Sequence, residues 1–141
     1  MDLMWTSSEE LKRETERCYA KFENIQSFYD LQTKLYGKKG VLFFADHQID
    51  AVSYNSGRRT LTVRITGSCE NFKYEGKTAS KVFYVFHFHD VDDLVMDIAP
   101  EFWIFDLYIQ KMSDDRYLYW CDSGMLNFTF GYARADRWWA E

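Results

Sequence analysis

His87-x-His89-Asp90 is the first place in this chain where residue type and spacing could do chemistry. On an extended strand, side chains two apart share a face, here roughly 7 Å apart. Two imidazoles so placed can chelate one zinc or iron ion, with His47 or a carboxylate completing the shell. Neither an H-E-x-x-H run nor a paired-cysteine motif accompanies them, so two half-exposed histidines at a sheet end are the simpler expectation. Asp46-His47 with Asp50 suggests a second device, an imidazole whose tautomer a carboxylate fixes for base chemistry. Neighbours along a strand point to opposite sides, so Asp46 and His47 need not touch. Ser53 and Ser56 form no nucleophile elbow. Gly37-Lys38-Lys39-Gly40 is followed by no Ser or Thr and reads as a helix-to-strand link rather than a phosphate cradle. No catalytic residue is assigned, no cofactor is expected, and a non-enzymatic role follows.

The most asymmetric stretch is residues 90–122, which hold nine acids against two bases, Lys111 and Arg116. Trp103, Tyr108, Tyr117, Tyr119 and Trp120 are interleaved with them. Acids beside aromatic anchors suit a basic protein surface, because charge speeds encounter and buried rings slow release. The residues expected to meet a partner are Asp90, Asp92, Asp93, Asp97, Trp103, Asp114, Asp115, Tyr117 and Tyr119. The alternative is a small-molecule or metal site on His47, His87 and His89. A third reading concerns the end of the chain, Arg134-Ala135-Asp136-Arg137-Trp138-Trp139. There the indoles either bury against a helix with Arg stacked on Trp, or stand exposed as a subunit contact.

Bulk properties narrow these choices. At 141 residues with 47% hydrophobic and 28% charged, the chain is long enough for one real core. Aromatics at 19% are in excess and raise the expectation of a contact surface. The net charge of −5 argues against nucleic-acid binding, which needs a basic footprint. Cys18, Cys69 and Cys121 are odd in number and widely spaced, as free thiols in a reducing cytosol would be. The start carries no signal-peptide pattern and no apolar run is long enough to span a bilayer, so a cytoplasmic protein without a membrane partner is expected.

The elements that would hold these residues divide at Gly40. Before it, Thr6-Ser7-Ser8-Glu9-Glu10 is a capped helix start. Leu11, Cys18, Phe22, Ile25 and Tyr29 recur at helical spacing. One long helix and two consecutive helices, the second capped by Asn24, both remain open over residues 6–36, with Gly37 as the stop. After Gly40 the period is two. Strands are expected from Ile49 to Tyr54, over 60–66 and over 81–89, the last central. A polar connection is expected over 68–77 and a short helix from Asp90 toward Asp97. One long strand over 102–112, a turn at Ser113-Asp114-Asp115-Arg116 and a hairpin closing around Asp122-Ser123-Gly124 follow. The sum is a single α+β domain: a helix or helix pair, helical over 6–36, packed on a largely antiparallel sheet of about six strands over 48–132.

The stretch Phe44-Ala45-Asp46-His47-Gln48-Ile49-Asp50-Ala51-Val52-Ser53-Tyr54 resembles the F-H-D-A-E-I-x-S-V-x-Y entry strand of small bacterial immunity proteins, the immunity protein 50 group of the polymorphic-toxin systems. Asp46 and Ile49 align with the pattern, and Ala45 stands where it has His. The resemblance implies a helical start leading into an antiparallel sheet, and a cytoplasmic antidote that binds and neutralises a cognate toxin domain. A toxic nuclease is a natural target, because its nucleic-acid groove is basic.

Overall fold

The N-terminal stripe does not run through as one helix. In the structure, a computed structural model that describes residues 8–37, 40–97, 102–104, 106–113, 115–121 and 126–141, α1 spans Ser8–Tyr19 and α2 spans Gln26–Tyr36. The expected helix start at Thr6 and Ser7 lies outside the described residues. Between the helices Asn24 takes φ 64°, a left-handed conformation that Asn tolerates and that ends a helix. Asn24 is therefore not the expected cap of α2, whose N-cap is Ile25 with no side-chain bond. Its Nδ2 instead donates to the Ala135 carbonyl at 3.1 Å. Gly37 ends α2 as expected, at φ 72° with its N–H on Thr33 O.

Among the described residues nine strands in two antiparallel sheets follow, where about six in one sheet were expected. They are β1 Gln48–Asn55, β2 Thr60–Tyr74, β3 Lys77–His89, β4 Asp92–Met96, β5 Phe102–Trp103, β6 Leu107–Ser113, β7 Arg116–Cys121, β8 Leu126–Phe130 and β9 Tyr132–Ala140. The orders are β5-β1-β2-β3-β9 and β4-β8-β7-β6, and the class is α+β.

Four expectations are corrected by this pairing. The polar connection over 68–77 is instead a hairpin: β2 runs on to Tyr74, and Glu75 and Gly76 at φ 51° and 80° make the two-residue turn. Both central residues lie at positive φ, which matches the turn to the strand twist. The expected short helix after Asp90 is strand β4, with Asp92 opposite Thr129 and Met96 opposite Leu126. The long strand over 102–112 is two strands in different sheets, because β5 pairs with β1 and β6 with β7. The sheet also continues beyond Tyr132 through β9, whose register on β3 reaches Val82 opposite Ala140. Of the last two turns, Asp114 and residues 122–125 lie outside the described residues; β7 and β8 pair as a hairpin should.

Many of the aromatic residues form the core. Phe88 on β3 packs at 4.9 Å from Phe128, 5.0 Å from Phe130 and 5.3 Å from Tyr119, so the two sheets meet face to face there. Toward the helices, Phe22 touches Phe86, Phe88 and Phe130, and Phe28 packs on Tyr84 and Phe86. Edge-on and offset contacts of this kind add about 0.5–1.5 kcal/mol each beyond area burial. Gln32, buried on α2, clamps the incoming loop: it donates to Phe43 O at 2.9 Å and accepts from Phe43 N at 2.6 Å.

Candidate functional site

A sheet's outer strands present unpaired N–H and C=O groups, which natural folds cover or blunt. Here the covering is uneven. On the β6 edge, Ile109 N–H donates to the buried Thr15 hydroxyl at 3.0 Å and Lys111 N–H to Glu14 Oε1 at 3.2 Å, so α1 seals it. On the β9 edge, Glu23 N–H donates to Ala133 O and Ala135 N–H to Glu23 O, at 3.0 and 2.8 Å. The link between the helices therefore finishes that strand. On β4, no described residue bonds to the backbone of residues 93–96 except the partner strand β8. On β1, among the described residues, only Gln48 and Ile49 are paired on the side facing away from β2, by β5.

These two open edges lie near each other. A gap of about 350 Å³ is lined by Asp50, Ala51 and Val52 of β1 and by Met96 and Asp97 at the end of β4. Of the six large apolar side chains that stand exposed among the described residues, Met96 at 47% lines this gap and Val95 at 52% precedes it on β4, while Tyr54 at 39% and Trp103 at 49% lie toward opposite ends of β1, the latter on β5. Asp93 and Asp97 are exposed and meet no cation among the described residues, whereas Asp50 is held by Arg64 at 2.9 Å.

The expected partner residues are thus sorted by the fold. Asp92, Asp93 and Asp97 lie on or beside β4, and Trp103 on β5, opposite Gln48. Asp92 is already neutralised within the chain, by Arg59 at 2.6 Å and Arg116 at 3.3 Å. Asp90, at φ 56°, sits just before β4 and gives its carbonyl to Arg116 at 2.6 Å. Asp115 is exposed in the β6–β7 turn, away from the gap; Asp114 lies outside the described residues. Tyr117 is half-buried, stacked on Phe130 with Lys21 over its ring. Tyr119 is 2% exposed and belongs to the core, so it presents nothing to a partner. Its burial follows from alternation on β7, which turns it toward Phe88 and Phe128. The free edge of β4 was the feature that sequence reasoning missed. Its signal is present in Asp92-Asp93-Leu94-Val95-Met96-Asp97, a short β-prone apolar run fenced by acids.

The histidines do not converge. His47 is 3% exposed, with Nδ1 on Ala45 O at 3.1 Å and Nε2 3.3 Å from the Tyr36 hydroxyl. Burial pushes its pKa down. Its ring lies flat against Gly67, where a Cβ would overlap the imidazole, which explains a glycine inside β2. His87 bonds Thr62 Oγ1 at 2.8 Å through Nδ1 and faces Asp136 at 3.3 Å through Nε2. This Thr–His–Asp row crosses β2, β3 and β9, with His87 and Asp136 partly exposed. His89 stacks on Tyr132 at 4.3 Å. Among the described residues no group of three His, Cys, Asp or Glu is placed to hold a metal. All three cysteines are free and buried, and burial pushes the Cys18 thiol up to about 11.

The terminal indoles part company, because β9 alternates. Trp138 turns inward to Phe72 and Tyr74, while Trp139 stacks on Phe83 at 4.9 Å with Arg137 over its ring. Arg64 lies over the Phe83 ring, so guanidiniums bracket the pair. No described helix is long and apolar enough to cross a membrane. Comparison with family models, with curated proteins and with solved structures finds no match for this chain.

Proposed function

We propose that this chain is a non-enzymatic binding protein, an immunity protein that neutralises a cognate bacterial toxin domain in the cytoplasm by holding it against the open edges of β4 and β1. The observation that carries the reading is the pair of exposed Val95 and Met96 on β4 between Asp93 and Asp97, acids without a cation among the described residues. Monomeric proteins seldom leave such an apolar group uncovered next to free sheet edges. Apolar anchors ringed by acids favour a basic partner. The entry-strand resemblance over residues 44–54 supports a toxin as that partner, and a nuclease supplies a basic groove. The Asp90 and Asp115 carboxylates extend the negative field toward the start of β4, where they act on encounter rather than on contact.

Co-expression with a toxin domain encoded beside the gene tests this. Cells are expected to survive and the two proteins to co-purify. A Val95→Ser, Met96→Ser double variant is expected to keep its melting profile and to bind about tenfold or more weakly. Absence of both protection and complex removes the antidote reading.

A further inference from the structure

We propose that the partner is captured by strand addition: an extended segment rich in Lys or Arg pairs with the free edge of β4 and becomes a fifth strand of that sheet. This rests on the binding reading above and supplies its mode and the chemistry of the captured segment.

The first ground is the uneven treatment of edges. The same sheet seals β6 with two side chains of α1 and leaves residues 93–96 of β4 unbonded on their outer side by any described residue. An added strand satisfies the outward amides and carbonyls around Val95 and Met96 by main-chain bonds, whatever its sequence, while the bulge between Asp92 and Val95, with Asp93 at φ 55°, marks where that ladder begins. The second ground is room. The gap opens at the end of this edge, between Met96 and Asp97 and residues Asp50, Ala51 and Val52 of β1, and β1 past Ile49 has no described strand on its far side.

The third ground is charge. Asp92, Asp93 and Asp97 lie within six residues, and only Asp92 has its cations, Arg59 and Arg116. An added strand carrying Lys or Arg on alternate positions would set those cations on the face that Val95 and Asp97 share, two residues from Asp93 in sequence, and lay its intervening residues on Met96 on the other face. A second copy of this chain is the poorer occupant. Its β4 would bring the same carboxylates to the seam, and like charges across a strand pair are destabilising.

The probe is a synthetic peptide of about ten residues, the length of a long strand, alternating Lys with Val. Amide hydrogen exchange is followed by NMR on the full chain. The peptide is expected to slow exchange of the outward-facing amides among residues 93–96, those not already bonded to β8, about tenfold or more. A copy with Glu in place of Lys, a copy N-methylated along one edge, and an Asp93→Lys, Asp97→Lys variant of the protein are each expected to abolish that protection. Equal protection by the N-methylated peptide, protection elsewhere only, or none at all overturns strand addition. A dimer that protects these amides without peptide overturns the choice of occupant. The toxin experiment fails separately. A toxin complex that needs Val95 but leaves β4 exchanging at its free rate removes strand addition and keeps the binding reading. Peptide protection without any toxin complex does the reverse.

Discussion

β6 and β4 are the two outer strands of one four-stranded sheet, and they are finished in opposite ways. β6 is met by α1: Thr15, buried on the helix, donates to the Leu11 carbonyl at 2.7 Å and accepts from Ile109 N–H at 3.0 Å. On its outer side β4 is met by nothing described over residues 93–96, yet it carries two of the six large apolar side chains exposed among the described residues. A free edge is a liability for a chain that needs only to fold, since it templates pairing with other molecules. Asp93 and Asp97 limit that liability toward acidic neighbours and toward copies of the chain itself, while leaving the edge open to a cation-bearing strand. The contrast separates an edge closed for stability from one left open for contact.

The heaviest blow to this contrast is Phe88→Ala. It removes the ring on which β3 meets Tyr119, Phe128 and Phe130, so both edges should be lost together. A cost of about 3–5 kcal/mol is expected for a buried Phe, read by urea denaturation. A variant that loses less than about 1 kcal/mol would mean that the sheets do not depend on this contact.

Next in size, Thr15→Val keeps the shape of the side chain and takes away the hydroxyl that seals β6. The buried Ile109 N–H then lacks its partner, at a cost of about 1–3 kcal/mol. The variant is also expected to self-associate in sedimentation, since it acquires an edge without the carboxylates that fence β4. A stable monomer would show that α1 covers β6 by bulk alone.

A smaller effect comes from pH and concerns the start of β1. His47 is kept neutral by burial, so its folded pKa lies below the unfolded value near 6.5. The unfolded chain then binds the extra proton first. The stability His47 contributes is whole above pH about 6.5 and declines as pH falls from there toward the lowered folded pKa. His47→Gln should flatten that part of the stability curve, whereas His89→Gln, in a half-exposed ring, should leave most of it. A wild-type curve rising on acidification would reverse the sign and refute the assignment.

How much of this was legible in the sequence follows from which forces are local. Leu61, Val63 and Ile65 alternate because β2 has one buried face, so that strand could be read directly. Gly37 marked the end of α2 because only its backbone conformation mattered. Ser68 to Tyr74 could not be read as strand, since it is held largely by the ladder to β3 rather than by an apolar stripe. The break between β5 and β6 was hidden because Ile104, which is buried, continues the alternation across a change of sheet. The aromatic residues were misleading for a related reason: a strand states which residues share a face, not which face is inside. Tyr119 and Trp103 are equally plausible anchors on paper, and only the packing of the second sheet separates them. The open edge was least legible of all, because its freedom depends on where α1 and the helix link lie, not on β4 itself.

The smallest expected change in stability bears most directly on that edge. Val95→Lys places a cation on a side chain already 52% exposed, so stability should move by no more than about 0.5 kcal/mol, as for ordinary surface substitutions. Lysine on an edge strand is a natural blocker of strand pairing, and here it also stands between Asp93 and Asp97, the acids that would attract a basic segment. Binding of the alternating Lys–Val peptide should therefore fall about tenfold or more while the melting curve stays in place. The same substitution at the far edge, Met112→Lys on β6, touches an exposed side chain beside the strand that α1 has sealed. It should alter neither stability nor peptide binding. If both lysines weaken the peptide alike, its attraction is to the net charge of the molecule, and the difference between the two edges has no part in it.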